Sequence, residues 1–185
     1  MRKLKLQVQI SIDGYIAGPN GELDWLEWDW DEEMKYYVTI ITNPVDCILL
    51  GRKLAQGFID IWATSATDPN TADDFARKMN ETPKIVFTKT IFKADWHNTK
   101  LEWGEIVEEV TKLKNKEGKD MIVYGGGTFV RTLIEADLID ELYLFVNPTA
   151  IGTGMPIFSR LKKMKLIKSR PFDCGIVVLC YQPIK

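Results

Sequence analysis

The strongest constraint on the fold is a triple glycine that separates an apolar run from a helix-like stretch. The apolar run covers residues 121–124, the glycines are Gly125, Gly126 and Gly127, and the helical pattern covers residues 128–136. Residues without Cβ atoms let backbone N–H groups approach an anion, and the helix dipole adds partial positive charge at the same place. The pattern therefore predicts either a pyrophosphate-binding turn or a tight strand-to-helix turn that binds nothing.

The chain before the glycines alternates between strand and helix patterns. Residues 4–12 alternate apolar and polar side chains, which predicts a strand with one apolar face. Further patterns predict strands at residues 45–50 and 84–88, and helices at residues 32–42, 71–79 and 103–113. Such alternation is typical of a mostly parallel central sheet with helices on both faces.

The C-terminal part has a different pattern. Three β-type segments follow one another without room for a helix, at residues 141–146, 147–158 and 176–181. Residues 161–167 are rich in lysine and predict a basic surface connector. We therefore expect an antiparallel C-terminal hairpin on a mostly parallel α/β sheet, and a single domain over residues 1–185.

Composition excludes several functional classes. With 45% hydrophobic and 27% charged residues, the chain has the composition of a globular protein, and no apolar run is long enough to cross a membrane. A net charge of −2 gives no field that would attract nucleic acid. His97 is the only histidine, so we expect no metal site and no histidine-based triad. Three widely spread cysteines and an N-terminus without a signal-peptide pattern predict a cytoplasmic protein.

Basic residues follow two predicted strands, at the edge of the sheet where ligands bind in α/β proteins. Arg52 and Lys53 come directly after Gly51, and Lys89 follows Thr88 at the end of the next strand. A guanidinium and ammonium groups suit the phosphate of a 2′-phosphoadenosine, so these residues favour NADPH over NADH as the cofactor. A lysine in a loop is also commonly solvated, which is the alternative for Lys89.

Two candidates for substrate contacts precede the first predicted helix. Asp13 lies in a glycine-flanked turn, where it either forms the turn or contacts the substrate, with proton donation as a possible role. Trp25 lies in a tryptophan-containing loop, where its ring either packs against the core or stacks on a planar heterocycle. The predicted partner is therefore a small heterocyclic molecule.

Five segments occur in an order that indicates a family resemblance. They are residues 11–17, 50–53, 124–129, 138–142 and 148–158. In this order they resemble the dihydrofolate reductase fold, and within it the reductase domain of the bifunctional riboflavin biosynthesis deaminase-reductase. The H-x-E and P-C-x-x-C motifs of the companion deaminase are not in the sequence, so we expect a stand-alone reductase-like domain.

The resemblance implies a three-layer dihydrofolate reductase-like fold and NADPH-dependent reduction of a pyrimidine or pteridine-like substrate. The first expectation is 5-amino-6-(5-phosphoribosylamino)uracil reductase, and the alternative is dihydrofolate reductase. The resemblance also implies a homodimer. The cofactor residues that it implies are Ile16 and Ala17 at the nicotinamide, Arg52 and Lys53 at the adenosine phosphates, and Thr88 and Lys89 at the adenine ribose. At the pyrophosphate it implies Gly125, Gly126, Gly127, Thr128 and Phe129. Gly51 and Tyr124, which directly precede these segments, are further predicted cofactor residues. The resemblance also places Asp13 at the substrate, and the predicted substrate residues are Asp13, Tyr15 and Trp25.

Departures from the family pattern indicate a rival class of function. Tyr15 stands where the riboflavin reductases usually have lysine, and Leu54 stands where threonine commonly follows the basic pair. The early helix carboxylate of the folate reductases has no clear match either. These differences favour a non-catalytic NADPH-binding domain as the alternative to an enzyme, and a purely structural α/β protein as a third possibility.

Overall fold

In the computed structural model, which describes residues 1–184, eight strands form one central sheet. The strands are β1 (Leu4–Ile10), β2 (Val45–Gly51), β3 (Lys84–Phe87), β4 (Thr99–Glu102), β5 (Asp120–Tyr124), β6 (Glu141–Val146), β7 (Met164–Pro171) and β8 (Val177–Pro183). The helices are α1 (Glu32–Thr42), α2 (Arg52–Thr67), α3 (Asp74–Glu81), α4 (Ile106–Asn115) and α5 (Gly127–Glu135). The strand order is β4-β3-β2-β5-β1-β6-β8-β7.

Strand directions confirm the predicted mixed sheet. The first six strands are mutually parallel, so their carboxyl ends lie along one edge. Strand β8 runs antiparallel to both β6 and β7, which gives the predicted C-terminal hairpin. Because β5 lies between β1 and β2, the crossovers that follow β1 and β5 leave this edge on opposite faces, which is the arrangement that creates a ligand crevice in α/β sheets.

Helices cover both faces of the sheet, as the sequence predicted. One apolar core contains Val110 of α4 and Leu133 of α5. The other contains Met34 of α1, Ile59 of α2 and Met79 of α3. The sheet is thus the middle layer of three. None of the helices within residues 1–184 has the length and apolarity that a bilayer span requires.

Strand β1 lies in the interior of the sheet, and both of its faces are buried. Leu4 and Leu6 belong to the core beneath α4 and α5. Lys5 and Gln7, on the opposite face, are only 6% and 7% exposed. The Lys5 ammonium donates a hydrogen bond to the carbonyl of Ile41 in α1, 3.3 Å away. The alternating pattern marks the apolar face, but it does not reveal that α1 covers the polar face as well.

Two predictions for the C-terminal part are wrong. Residues 147–158 form an irregular loop instead of a strand, and an isolated antiparallel bridge between Tyr15 and Pro156 joins it to the segment after β1. Gly152 in this loop has a φ of 76°, a conformation that interrupts a ladder. Residues 161–167, predicted as a connector, run into β7 instead. Since β7 is an edge strand and most of its residues are exposed, it lacks the buried periodicity by which strands are predicted.

Two elements were not predicted. Strand β4 is the outer strand on the side of the sheet opposite β7, and its four residues are too few to show a periodic pattern. For α2, the sequence indicated only a start after Gly51 and not a helix of 16 residues. This helix fixes the position of Arg52 and Lys53, because both lie in its first turn.

Candidate cofactor and substrate site

Two helices begin side by side at the carboxyl edge of the sheet. Strands β2 and β5 are neighbours, and each passes directly into a helix, α2 after Gly51 and α5 after Gly126. Among the helices of residues 1–184, these two alone lack both a capping side chain and an acidic residue in the first turn. By contrast, Asp31 caps α1 by accepting a hydrogen bond from Met34 N at 2.7 Å. The partial positive charges of the α2 and α5 starts are therefore uncompensated, which suits an anion.

Positive φ angles explain why glycines precede α5. Gly125 has a φ of 41° and Gly126 a φ of 78°, values that side chains rarely adopt. A Cβ on Gly125 would lie 3.4 Å from Cδ2 of Leu54, and one on Gly127 would lie 3.4 Å from Cδ1 of Ile16. The glycine backbone thus forms the surface of the turn, with Leu54 and Ile16 beside it.

Phe129 fixes the relative position of the two helix starts. A Cβ on Gly51 would lie 2.9 Å from Cβ of Phe129, so glycine is required for this close approach. The Phe129 ring packs against Phe87 with 5.1 Å between centroids. Phe129 is buried, and any contact to a pyrophosphate would be made by its backbone.

Tyr124 and Thr128, the other predicted cofactor residues beside the glycine turn, have contrasting environments. The Tyr124 ring packs on Phe58 of α2 with 5.1 Å between centroids, and its hydroxyl lies 3.7 Å from the sulfur of Met79 in α3. Burial raises the pKa of Tyr124 well above its usual range, so it stays neutral. Thr128 is exposed at the start of α5. The Tyr124 side chain is therefore a core group, whereas Thr128 lies at the surface of the turn.

The predicted cations separate into two groups. Arg52 and Lys53 are exposed, and within residues 1–184 they form no ion pair. Lys89 instead binds Glu105, with 2.8 Å between Nζ and Oε1, and donates to the carbonyl of Trp103 at 2.6 Å. The hydrogen bond from Lys89 lowers the pKa of Glu105, as expected for an ion pair. The helix starts therefore have two free cations, and the third predicted cation ties β3 to the segment before α4.

Thr88, predicted beside the adenine ribose, is buried at the end of β3. Its hydroxyl oxygen accepts hydrogen bonds from Thr90 N at 3.1 Å and Ile91 N at 3.0 Å. These contacts shape the turn that follows the strand, and they leave the hydroxyl proton available for one further bond.

Asp13 joins the end of β1 to the loop after β6. One carboxylate oxygen accepts from the Ser11 hydroxyl at 2.6 Å and from Ile151 N at 3.2 Å. The other accepts from Gly152 N at 2.6 Å. The Ser11 hydrogen bond, with help from the two backbone N–H groups, lowers the pKa of Asp13 below its usual value. Asp13 is therefore an ionised turn-holding group, and this environment disfavours proton donation.

The segment after β1 pairs with the same loop. Ile16 N donates to the carbonyl of Met155 at 2.9 Å, and Met155 N donates to the carbonyl of Ala17 at 2.8 Å. Tyr15 N donates to the Ser11 hydroxyl oxygen at 3.0 Å. These bonds hold the Ile16 side chain beside Gly127, so the structure brings the residue predicted at the nicotinamide next to the glycine turn.

Trp30, and not Trp25, is the tryptophan that reaches the sheet. The Trp30 ring stacks on Phe145 of β6 with 6.2 Å between centroids, and Trp28 stacks on Trp30 at 6.3 Å. Trp25 is half-buried and donates to the carbonyl of Glu22 at 3.2 Å. A short aromatic stack thus runs from the core to the exposed Trp28 ring, and Trp25 lies outside it.

Asn147 was missed by sequence reasoning although it organises this region. It is fully buried, its amide oxygen accepts from Glu27 N at 2.8 Å, and its amide nitrogen donates to Gln9 Oε1 at 2.8 Å and to the carbonyl of Phe145 at 3.0 Å. An asparagine directly after a strand and before Pro148 is a turn signal, which is the only indication that the sequence offers.

No group of three potential ligand side chains within residues 1–184 could hold a metal ion.

The fold and this edge define a three-layer α/β protein with two adjacent helix starts that lack capping and acidic side chains. Residues 2–178 match the sequence profile of the RibD C-terminal domain, and the chain belongs to that family. Two relatives from Bacillus subtilis (strain 168) are similar over nearly their whole length. Uncharacterized protein YyaP is 33% identical across 97% of this chain and 94% of its own. Uncharacterized protein YwjB is 26% identical across 95% of both chains.

Solved structures confirm the fold. A putative riboflavin biosynthesis protein from Shewanella sp. PV-4 superposes over 99% of both chains with a TM-score of 0.71 and 21% identity. A Thermotoga maritima diaminohydroxyphosphoribosylaminopyrimidine deaminase/5-amino-6-(5-phosphoribosylamino)uracil reductase gives 0.69 at 15% identity, over 99% of this chain and 57% of that one. Dihydrofolate reductase from Enterococcus faecalis complexed with NADP(H) gives a TM-score of 0.60 at 17% identity, over 99% of this chain and 97% of that one. The fold is therefore that of dihydrofolate reductase.

Proposed function

We propose that the protein is an NADPH-dependent reductase of the riboflavin-biosynthesis type that acts on 5-amino-6-(5-phosphoribosylamino)uracil or a close relative. The observation that supports this most is the pair of adjacent helix starts at α2 and α5, which lack acidic and capping side chains. Membership of the RibD C-terminal domain family is consistent with it. Dihydrofolate is the second candidate substrate, supported by the likeness of the fold to dihydrofolate reductase.

The residues at this edge fit a dinucleotide cofactor. Gly125, Gly126 and Gly127 present backbone without side chains at a helix start, as a pyrophosphate requires. Arg52 and Lys53 lie in the first turn of the neighbouring helix and suit a 2′-phosphate. When bound, NADPH would supply a hydride. The chain would supply binding, orientation and exclusion of water.

Leu54 bears on the rival hypothesis of a non-catalytic NADPH-binding domain. Its side chain lies against Gly125, where the family pattern has a hydroxyl. One donor to phosphate is thereby absent at this position, but the backbone groups and the two cations remain. The substitution thus predicts weaker cofactor binding and does not by itself abolish the site.

A proton must accompany the hydride when a C=N bond is reduced. Asp13 is disfavoured as the proton donor by its lowered pKa and by its three hydrogen bonds. We therefore assign proton delivery to a water molecule at the substrate. Asp13 acts as a positioning residue, because it holds Ile151 and Gly152 against the end of β1.

Calorimetry and turnover test the function separately. Titration with NADPH should give saturable heat, and NADH should bind more weakly. Addition of 5-amino-6-(5-phosphoribosylamino)uracil, or of dihydrofolate, should then lower the absorbance at the NADPH band. Binding without turnover on either substrate would support the non-catalytic alternative, and the absence of binding would leave only a structural α/β protein.

Two further proposals concern location and assembly. We propose a cytoplasmic location, because the three cysteines are free and widely spread, and a homodimer in solution, which the family resemblance implies. Sedimentation equilibrium would give twice the chain mass of 21.2 kDa for the dimer. A single-chain mass at micromolar concentration would contradict it.

A further inference from the structure

Three polar side chains extend from β1 toward the face that α1 covers. Lys5 forms an ion pair with Asp120, with 3.0 Å between Nζ and Oδ2. Gln9 accepts a hydrogen bond from the amide nitrogen of Asn147 at 2.8 Å. Gln7 lies between these two residues on the same face, so its environment can be compared directly with theirs.

Gln7 differs from both neighbours because its amide oxygen is unsatisfied. Within residues 1–184, Oε1 of Gln7 is buried and has no hydrogen-bond partner. The residue is 7% exposed, and its backbone lies inside the sheet between β5 and β6. A buried amide oxygen without a donor is costly, and its presence in a folded protein calls for an external donor.

The position of Gln7 connects it to the candidate site. In the sheet it pairs with Tyr124 of β5, the residue directly before the glycine turn. Helix α2 reaches this part of the face through the contact of Phe58 with Tyr124, whereas α1 covers β1 through the contact of Ile41 with Lys5. Gln7 therefore lies where the cover of the sheet changes from one helix to the other, beside the turn that we assign to the cofactor.

We propose that the Gln7 carboxamide binds the lactam edge of the substrate ring. Its oxygen would accept a hydrogen bond from the ring N–H, and its nitrogen would donate to the adjacent ring carbonyl. This inference rests on the proposed function and narrows its substrate class to pyrimidinones and pteridinones that present N–H and C=O side by side. Gln7 is then a specificity-determining residue, because a ring without that edge would leave a buried polar group unpaired.

Paired variants test the inference in the free protein. Gln7→Met keeps the length of the side chain and removes its polar atoms, and Gln9→Met is the matched control on the same strand and face. Because Gln9 has a partner and Gln7 Oε1 has none, Gln9→Met should lower the melting temperature and Gln7→Met should not. If Gln7→Met lowers it as much as Gln9→Met does, the carboxamide has a partner in the free protein and the inference is overturned.

Ligand protection tests recognition without requiring turnover. With the wild type, 5,6-diaminouracil should raise the melting temperature more than 5,6-diamino-1,3-dimethyluracil, which lacks ring N–H groups. Gln7→Met should abolish this difference and raise the KM for the aminouracil phosphate about tenfold to a hundredfold, with an unchanged Kd for NADPH. Equal protection of both proteins overturns the inference even if turnover persists. Gln7-dependent protection without turnover sustains the inference and removes the reductase assignment. If neither protection nor turnover is observed, both the inference and the reductase assignment are overturned.

Discussion

On the proposed function, Arg52 and Lys53 would determine which nicotinamide carrier the site selects. Both are exposed in the first turn of α2, and no acidic residue of that turn competes with a ligand for them. A guanidinium offers a planar fork of donors to phosphate oxygens, whereas a ribose hydroxyl gains little from it. Their contribution should therefore appear in the difference between NADPH and NADH.

Neutralising Arg52 should reduce this discrimination. We expect Arg52→Gln to weaken NADPH binding about tenfold while NADH binding changes little, because one charged contact to the 2′-phosphate is lost. Isothermal titration with both carriers measures the ratio. Lys116→Gln is the control, since it removes the same charge from an exposed position at the end of α4, on the opposite edge of the sheet. An equal loss for both carriers would contradict the assignment.

Lys84 is a buried cation at the start of β3, at the amino ends of the parallel strands and opposite the candidate site. It is 2% exposed, and its ammonium donates to the carbonyls of Asn80 at 2.7 Å and Thr82 at 2.9 Å. Burial lowers its pKa from 10.5 to about 8. Between these values the unfolded chain binds more protons than the folded one, so the free energy of unfolding rises with pH in that range.

Lys84→Met should remove this pH dependence. From pH 8 to pH 10.5 the wild type should gain at most about 3 kcal/mol relative to the variant, since each pKa unit corresponds to about 1.4 kcal/mol. Urea unfolding of both proteins at several pH values gives the difference. Parallel curves for the two proteins would show that Lys84 has an ordinary pKa.

Single residues also show where sequence reasoning reaches its limit. Gly51, Arg52 and Lys53 were predicted at the carboxyl edge of the sheet, because residues that directly follow a buried parallel strand must lie there. Lys89 has the same position after β3, but its ammonium binds Glu105 of the segment before α4. That contact depends on a tertiary approach that no local pattern encodes.

At the scale of elements, the start of α5 is the most constrained feature of the site. Gly126 caps this helix with a φ of 78°, and the nearest atom to a Cβ there would be Cβ of Phe129 at 3.9 Å. Space is therefore available, and the backbone conformation is the obstacle to substitution.

Gly126→Ala should destabilise the protein by about 1 kcal/mol and weaken NADPH binding, because alanine disfavours the left-handed conformation. Gly57→Ala in the middle of α2 is the control, since its Cβ would meet no atom within 4 Å. That change should stabilise the protein by about 0.5–1 kcal/mol. Thermal unfolding with and without NADPH measures both effects. Identical behaviour of the two variants would show that the turn has no special conformation.

The loops at this edge depend on Asn147. Asn147→Ala should cost about 2–4 kcal/mol, because Glu27 N and Gln9 Oε1 lose their partner in a buried place. Near-ultraviolet circular dichroism should change as the Trp30 ring loses its fixed position on Phe145. Asn115→Ala, at an exposed position, should leave both measurements unchanged. Equal effects of the two variants would contradict a role for Asn147 in holding the loop.

Predictability of the elements follows their burial. The bounds of α1 and β6 were predicted correctly because both have a periodic apolar pattern between clear end signals. Strands β4 and β7 lie at the two edges of the sheet, where water replaces one neighbour and the pattern weakens. The polar face of β1 is buried because α1 packs on it. The sequence of β1 alone does not predict that contact.

At the scale of the whole molecule, a ligand that binds only the folded state raises its stability. NADPH at about a hundred times its Kd should add about 2.7 kcal/mol, which corresponds to a rise of about 5–10 °C in Tm for a chain of this size. Differential scanning calorimetry measures the shift, and its logarithmic growth with concentration identifies binding to the native state. An unchanged Tm at saturating NADPH would contradict cofactor binding.

The paired helix starts come from distant parts of the chain. One follows β2, which ends at Gly51, and the other follows β5, which ends at Tyr124. The chain between them includes the connection from α2 to α3, so a cut there would place each half of the proposed anion site on a separate fragment. Neither fragment would bind nucleotide alone, and recovery of binding after mixing would report complementation of the entire sheet.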